Sequence, residues 1–515
     1  MKDVSLSNRS EPRKDHPLFL PAMLTAYAAS LAVVVHFHEM FRDEMQAWLI
    51  ARDSKSIPDL FWNLRYEGHP ALWHLFLYLP SHISWNPVSM QVINWVFAVA
   101  EAWVILSAKR LHWLFRALLL FSFFVFYGYG AIARNYMLGL LLLTAASLLL
   151  LNKSGQRAWA IVLLGLAINT HFFAIPIALL IFVLFFCFPT GDSWRRPMEP
   201  LRTRAFWAAT AVLLASLATA YAVMRPPADR YTPWYSTANV SAAGYFLISE
   251  GRAWQMFAPV PEMYIPEAIR QAMVPRHAPS IPAATLSLFL LLLLALCLRT
   301  ARGRFFFLCA ALLEFLAFTF TVRIPPVRHY GFVFLSLLIA MLVDAYSDAD
   351  APVGNWIPRR LATGVMVAML AVQVMASASA SILDIIYPFS EAKETSEWLK
   401  QNGYANNPMA LQIDTTGTSV LGYLEREKAY YPACRCEASF VLFRSEWDHF
   451  RTANAEELDE LGRTSKLPVL LVSDSELDPS EAQSMNLTLL RAFRNHPVYK
   501  LETCYVYLRP LPEKR

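Results

Sequence analysis

Runs of about twenty apolar residues recur along this chain, and that recurrence constrains its fold more than any other feature. A helix needs ~20 mostly apolar residues to cross the hydrocarbon core of a bilayer. Such runs lie at 18–36, 87–106, 117–133, 136–151, 157–189, 205–224, 282–298, 305–321, 330–346 and 361–382. The 157–189 run is long enough for two segments meeting at Asn169-Thr170-His171, and a shorter run, 70–83, opens with Pro70-Ala71-Leu72-Trp73. Only 17% of the residues are charged, against ~25% in an ordinary soluble protein. The shortage is uneven: residues 1–383 carry 30 basic and 20 acidic side chains, residues 384–515 carry 15 and 20. A disordered chain, a small disulfide-rich scaffold and a single soluble domain are all excluded. The expected fold class is an α-helical polytopic membrane protein with about 11 transmembrane helices and a small C-terminal α/β domain.

Basic residues cluster at the N-terminus (Lys2, Arg9, Arg13, Lys14), at Lys109/Arg110/Arg116, Lys153/Arg157, Arg195/Arg196/Arg202/Arg204, Arg299/Arg302/Arg304 and Arg359/Arg360. Cytoplasmic loops hold the excess of Lys and Arg. Working back from the C-terminus, each cluster is cytoplasmic if 157–189 crosses twice, and the acidic 384–515 domain then lies outside. A cytoplasmic N-terminus gives one crossing too many, so the short, proline-flanked 70–83 segment is expected to be a half-helix or interfacial helix. The first span is expected to be a retained anchor, since no small-residue cleavage site follows it. The chain therefore divides into a membrane block, 1–383, with outer loops 37–69 and 225–281, and an extracytoplasmic α/β domain, 384–515. Asp348-Ala-Asp350 falls inside and reads as a solvated loop. In the tail, the pattern predicts a helix over Ser390–Asn402 ending at Gly403 and a strand at Met409–Ile413. Helices around Ser419–Leu424 and Glu446–Leu461 and strands near 468–473, 487–493 and 498–508 complete it.

The first outer loop is the richest in chemistry. It reads His36-Phe-His38-Glu39-Met-Phe-Arg42-Asp43-Glu44-Met-Gln46-Ala-Trp48, with Arg52 and Asp53 close behind. Ionisable groups at the membrane boundary are costly unless solvated or paired. From Arg42 to Arg52 the spacing fits an interfacial helix, with Met45, Trp48 and Leu49 on one stripe and Glu44 or Arg52 opposite. Asp43 and Glu44 would sit at its start, where carboxylates are favoured by the exposed N–H groups or simply cap the helix. The loop re-enters the membrane at Arg65-Tyr66-Glu67-Gly68-His69-Pro70 with a further acid and histidine. Such carboxylates suit a general base for a hydroxyl acceptor. With His38 and Glu39, Asp43 also offers a weak set of ligands for a divalent cation; no other cofactor is expected.

One span, an outer loop with an acidic pair on an interfacial helix, and a Gly/Pro re-entry resemble the GT-C superfamily of membrane glycosyltransferases. That superfamily includes the protein O-mannosyltransferases and the lipid A aminoarabinose transferases. Further pieces follow in order: Ala131-Ile-Ala-Arg134-Asn135-Tyr136 between two spans, Asn169-Thr170-His171-Phe172-Phe173 in a broken run, and Pro325-Pro326-Val-Arg328-His329-Tyr330 opening a late span. The resemblance covers about 1–346, and it is the order of the motifs that carries it. It implies transfer of a sugar from a polyprenyl-phosphate carrier to a glycan, lipid or protein acceptor at the outer face of the membrane, and the compact loops and basic cytoplasmic face suit a bacterial inner membrane. It also implies Asp43 as the base with Glu44 supporting it. Membrane lipid is an expected partner; nucleic acid is not.

The donor phosphate must sit at the bilayer edge, and guanidinium groups bind phosphate oxygens bidentately. Arg134, Arg323 and Arg328 lie near outer span ends, and Arg134 stands between two spans of ~16–17 apolar residues, too short to leave it far out in water. Glu67, His69, His171 and His329 are expected to line the cavity, although His171 equally suits a core histidine bonded to backbone. The aromatics of the 225–281 loop, among them Trp234, Tyr235, Trp254 and Tyr264, fit sugar stacking or the headgroup belt, and this loop is expected on the acceptor side. In the tail, Cys504 is expected to pair with Cys434 or Cys436, leaving one thiol over. Two other functions remain open: a transporter or flippase of a lipid-linked glycan, and an inactive GT-C-like scaffold in envelope polysaccharide assembly. No inverted repeat of the kind transporters show is visible.

Overall fold

The computed structural model describes residues 15–152, 156–188, 203–231, 240–260, 266–275, 278–346, 357–412, 414–495 and 502–511. The N-terminal basic cluster, Lys153, Arg195, Arg196, Arg202, Asp348, Asp350, Trp234, Tyr235 and Tyr264 lie outside these residues. The membrane block is built from helices α1 (Phe19–Phe37), α2 (Arg42–Asp53), α3 (Ile57–Glu67), α4 (Leu72–Ile83), α5 (Val88–Ser107), α6 (Trp113–Leu120), α7 (Asn135–Leu151) and α8 (Arg157–Ile168). It continues through α9 (Ala174–Phe182), α10 (Arg204–Met224), α11 (Ala242–Gly251), α12 (Glu267–Met273), α13 (Ile281–Cys297), α14 (Ala301–Thr321), α15 (Tyr330–Tyr346) and α16 (Arg359–Ile386). Among the described residues, seven helices are long and apolar enough to cross a membrane, and four shorter apolar helices accompany them. The expected break in the 157–189 run falls at Asn169–Phe173, between α8 and α9.

The surface of this block carries apolar side chains that water would not tolerate in such density, including Trp103, Trp159, Leu214, Phe289, Phe320 and Ile386. The central helix α15 is the opposite case: every residue from Tyr330 to Tyr346 is buried, because other helices surround it. The chain is thus a multi-pass membrane protein whose interior is helix-packed and whose exterior matches lipid.

The two ends of the block differ. At one end basic loops gather: Arg116 pairs with Asp15 at 2.6 Å, Arg110 donates to the Tyr346 carbonyl, and the Asp344 carboxylate accepts from the Arg299 and Thr300 amides. At the other end lie the 37–69 loop, the turn before α7, the turn before α15 and the tail domain. Among the described residues, the loops carrying Arg110, Arg116 and Arg299 thus gather at one end.

The tail contains α17 (Ala392–Gln401), α18 (Asp414–Tyr423), α19 (Ala455–Ser465) and α20 (Pro479–Ser484) against a six-stranded sheet. Its strands are β1 (Met409–Leu411), β2 (Ala429–Tyr431), β3 (Cys436–Ala438), β4 (Val469–Ser473), β5 (Thr488–Phe493) and β6 (Cys504–Arg509), in the order β3-β2-β1-β4-β6-β5. β1 is parallel to β2 and β4, and the remaining pairings are antiparallel. The α17 helix stops as expected, at a left-handed Gly403 (φ 77°).

Three expectations for this region are corrected. The helix expected over Glu446–Leu461 begins only at Ala455, where Asn454 and Glu457 form a capping box. The residues before it do other work: Phe443 and Ser445 exchange backbone hydrogen bonds with Tyr231 and Asp229 of the 225–281 loop. Cys504 is not bridged. Cys434 and Cys436 pair with each other at the β2–β3 turn, and Cys504 is a buried free thiol. The sheet order separates β6 from β3 by four strand positions at ~4.8 Å each, far beyond the ~7 Å Cα reach of a disulfide. The α2 helix does not lie with one face to solvent or lipid; Glu44 through Arg52 are all buried, because α4 covers one side and α18 of the tail the other.

Candidate active site

The end of α1 delivers the chain into a short extended turn, and α2 starts at Arg42. Successive helical residues point ~100° apart, so Asp43 and Glu44 face different surroundings. The Asp43 carboxylate turns toward the turn before α15, where Arg328 contacts it at 2.9 Å. Arg134 donates from Nη1 to the Asp43 main-chain carbonyl, and Arg42 stands 3.9 Å from the Asp43 carboxylate. Burial would raise the Asp43 pKa, but Arg328, Arg134 and Arg42 outweigh it and hold the carboxyl down at about 2. At rest Asp43 is thus an anion clamped by guanidinium charge. Its side chain keeps 27% of its surface accessible, and that of Arg328 35%. This pair is half-open, not sealed.

Glu44 is fully buried and serves as the cap of α2: one oxygen accepts from the Phe41 amide at 3.2 Å, the other from the Ala133 amide at 2.6 Å. Its first oxygen also meets His38 Nε2 at 3.0 Å, while His38 Nδ1 meets Asp384 at 2.8 Å. The set His38, Glu39 and Asp43 is not drawn together as a cation site, since both His38 nitrogens are taken by other carboxylates and Asp43 faces arginine. Among the described residues no group of three or more His, Cys, Asp and Glu side chains is placed to hold a metal ion.

The re-entry segment forms the floor. Gly68 ends α3 at φ 77°, a left-handed conformation that requires glycine, with the Arg230 guanidinium packed close above it. That turn aims Glu67 and His69 inward. Glu67 accepts from Gln46 at 2.7 Å, and His69 Nε2 lies 3.5 Å from Arg134 Nη2. Burial and the Arg134 charge push the His69 pKa down to about 3, so this imidazole is neutral. Ala47, Glu67, His69, Trp73, His74, Arg134 and Asn135 line a small pocket below Asp43. Its wall holds buried polar atoms without a hydrogen-bond partner: His69 Nδ1, His74 Nδ1, Trp73 Nε1 and Asn135 Oδ1.

Aromatic packing extends this wall. The His171 ring centre lies 5.5 Å from that of His69 and 6.0 Å from that of His329. Tyr136 OH approaches His329 Nε2 at 3.4 Å. The His171 Nδ1 accepts from the Phe173 amide, and its Nε2 has no partner. Arg328 is held from behind: its carbonyl accepts from Tyr129 OH at 2.7 Å. A Cβ on Gly331 would strike that hydroxyl, so this approach demands glycine.

The structure therefore gathers Asp43, Glu67, His69, Arg134 and Arg328 around one cleft, with His171 and His329 in its aromatic wall. Arg323 lies elsewhere, its guanidinium 5.0 Å from the ring centre of Tyr245 on α11. Glu44, His38 and Glu39 stand behind the cleft. Sequence reading passed over Asp384, His74 and Trp73 as site residues. Asp384 had a signal, as a lone acid in the apolar end of the last span; the indole and imidazole at the start of α4 had none.

No known sequence family matches the chain, and no curated protein matches it. Solved structures do. The aminoarabinose transferase ArnT from Cupriavidus metallidurans, bound to undecaprenyl phosphate, aligns over 95% of this chain and 97% of its own, at 12% identity and a TM-score of 0.52. Its apo structure gives the same values. The arabinofuranosyltransferase AftD from mycobacteria aligns over 95% of this chain and 41% of its own, at 15% identity and a TM-score of 0.42. The ArnT alignments show that the chain has the GT-C fold, as the order of its motifs implied.

Proposed function

We propose that this protein is a glycosyltransferase that moves a sugar from a polyprenyl-phosphate-linked donor to an acceptor at the extracytoplasmic face of a bacterial inner membrane. The observation that carries this reading is the Asp43–Arg328 contact, with Arg134 alongside, in a half-open cleft where the helical block meets the tail domain. The GT-C fold supports it, as does the undecaprenyl phosphate bound to ArnT. In this reading the N-terminus is cytoplasmic, and the 384–515 domain lies outside with the cleft.

Arg134 and Arg328 take the donor phosphate oxygens, spreading the charge that grows as the glycosidic C–O bond breaks. Both guanidinium groups now hold Asp43. A phosphate that engages them draws off the charge that depresses the Asp43 pKa, so donor binding itself turns a poor base into a competent one. The acceptor hydroxyl oxygen then attacks the anomeric carbon, its proton passes to Asp43, and the bonding pair of the C–O bond leaves on the phosphate. The pocket beneath offers both donors and acceptors in Trp73, His69, His74 and Asn135, a mixture that suits sugar hydroxyls better than an anion.

The test is direct. Purified protein is incubated with polyprenyl-phosphate sugars and candidate acceptors, and release of polyprenyl phosphate is followed for wild type and Asp43→Asn. Turnover by wild type that collapses in the variant is expected. Unchanged turnover in Asp43→Asn removes the base assignment, and donor that is moved across the membrane without being consumed indicates transport instead.

A further inference from the structure

We propose that Glu44 is a positioning residue, and that a buried chain, Asp384–His38–Glu44, fixes Asp43 against Arg134 from the end of the last span. The proposal rests on the reading of Asp43 as the base. Glu44 has no accessible surface, and its oxygens are engaged by the Phe41 amide, the Ala133 amide and His38. A carboxylate so enclosed does not reach substrate. It does join two pieces of backbone that the cleft needs in register: the start of α2, which carries Asp43, and the residue immediately before Arg134. Arg134 closes the loop by donating to the Asp43 carbonyl. Displacing either strand would change the distance between base and phosphate ligand, and misplacement by ~1 Å can cost ~10²-fold in rate.

His38 extends this device to α16. Its two nitrogens face Asp384 at 2.8 Å and Glu44 at 3.0 Å, and its ring packs on Phe389 at 4.8 Å between centres. Burial opposes the imidazole's charge, but the two carboxylates outweigh it and hold its pKa well above the usual value. As an imidazolium it donates from both nitrogens, which locks its orientation. The surrounding groups are Glu39, raised to about 8 by burial, and the Tyr423 phenol of α18, which accepts from the Met40 amide at 2.6 Å. The tail is tied in at the same point: Ser390 donates to Glu502 at 3.0 Å, and Glu502 accepts from the Arg42 amide at 3.4 Å. The last span and the tail thus set the angle of the helix that carries Asp43.

Two variants test this in the full chain, reconstituted with a polyprenyl-phosphate sugar. Glu44→Gln breaks the charge pair but keeps an acceptor for the amides; Asp384→Asn leaves a one-to-one His38–Glu44 pair and so preserves folding if the first does not. The expected result is a kcat lower by ~10–100-fold with the donor KM within about twofold of wild type. Rates that fall only in proportion to the folded fraction, or a wild-type kcat in both variants, overturn the proposal. A cryo-EM structure of either folded variant reads the geometry without substrate: the Asp43–Arg328 contact and the Arg134 bond to the Asp43 carbonyl are expected to open, and an unchanged cleft overturns the positioning role. If wild type consumes no donor while the variant cleft does open, the catalytic reading fails and the positioning chain stands.

Discussion

The cleft and the junction behind it are adjacent, and they differ in what their polar groups bond to. In the cleft, polar atoms of His69, His74, Trp73, Asn135 and His171 are buried without partners. At the junction several groups are matched across the two parts: Gln46 exchanges two hydrogen bonds with Val441, at 2.7 and 3.1 Å, Arg52 Nη2 donates to the Arg426 carbonyl, and Glu44 is satisfied on both oxygens. An unpaired buried polar group costs ~1–3 kcal/mol, so the cleft stores a cost that the proposed sugar ligand would relieve through its hydroxyls. The junction holds the tail to α2 through such matched pairs, while Trp48 Nε1, Arg52 Nη1 and Asp384 Oδ1 beside them have no hydrogen-bond partner. The same division separates two consecutive carboxylates, Asp43 in the cleft and Glu44 in the junction.

That comparison can be broken by mutation. Asp43→Asn removes the proposed base and should lower kcat by ~10²–10⁴-fold, with folding intact; a stopped assay of polyprenyl phosphate release measures it. Arg328→Ala and Arg134→Ala should each weaken binding of polyprenyl phosphate by ~10–100-fold, since a charge-assisted hydrogen bond contributes ~1.5–3 kcal/mol; tryptophan fluorescence titration reads the shift. Gln46→Leu should reverse the pattern, lowering stability by ~1–3 kcal/mol through the orphaned Val441 groups, with catalysis changed less than in the arginine variants; thermal unfolding in detergent decides this.

The smallest expected effect is on pH. Burial raises Glu502 to about 8, against opposing interactions with Arg42 and Ser390, and raises Glu39 to about 8. The unfolded chain releases these protons first, from the ordinary 4.5 upward. The folded state therefore binds more protons over that interval, and stability falls as pH rises from 4.5 to about 8 before levelling. His38, raised by its two carboxylates, adds a loss of the same sign once pH passes the usual imidazole value of 6.5. Glu502→Gln should flatten the slope of melting temperature against pH, and an unchanged slope would remove Glu502 as its source.

Much of the cleft was legible in the sequence because charge at a span end is rare and has few places to go. Asp43, the Glu67/His69 pair, Arg134 and Arg328 stand at four different span ends or re-entries, and the fold brings those ends together. Arg323 satisfied the same criterion, yet its guanidinium lies over the Tyr245 ring; span-end position does not encode direction. The all-round burial of α2 was invisible because a covering domain some 370 residues later leaves no local trace. The cysteine pairing failed for a related reason, since strand order decides which thiols can meet and strand order is not written in spacing. Asp384 was read as the boundary between domains when it is the link between them.

The central claim is that Asp43 moves the proton while Arg328 and Arg134 hold the phosphate. The measurement that tests it most directly is the affinity for undecaprenyl phosphate and the donor turnover of Asp43→Asn and Arg328→Ala, made on the same reconstituted preparations. The account predicts that Asp43→Asn binds the lipid phosphate at least as tightly as wild type, because Arg328 is released from the carboxylate, and transfers no sugar. Loss of lipid binding in Asp43→Asn, or wild-type turnover in it, would contradict the account.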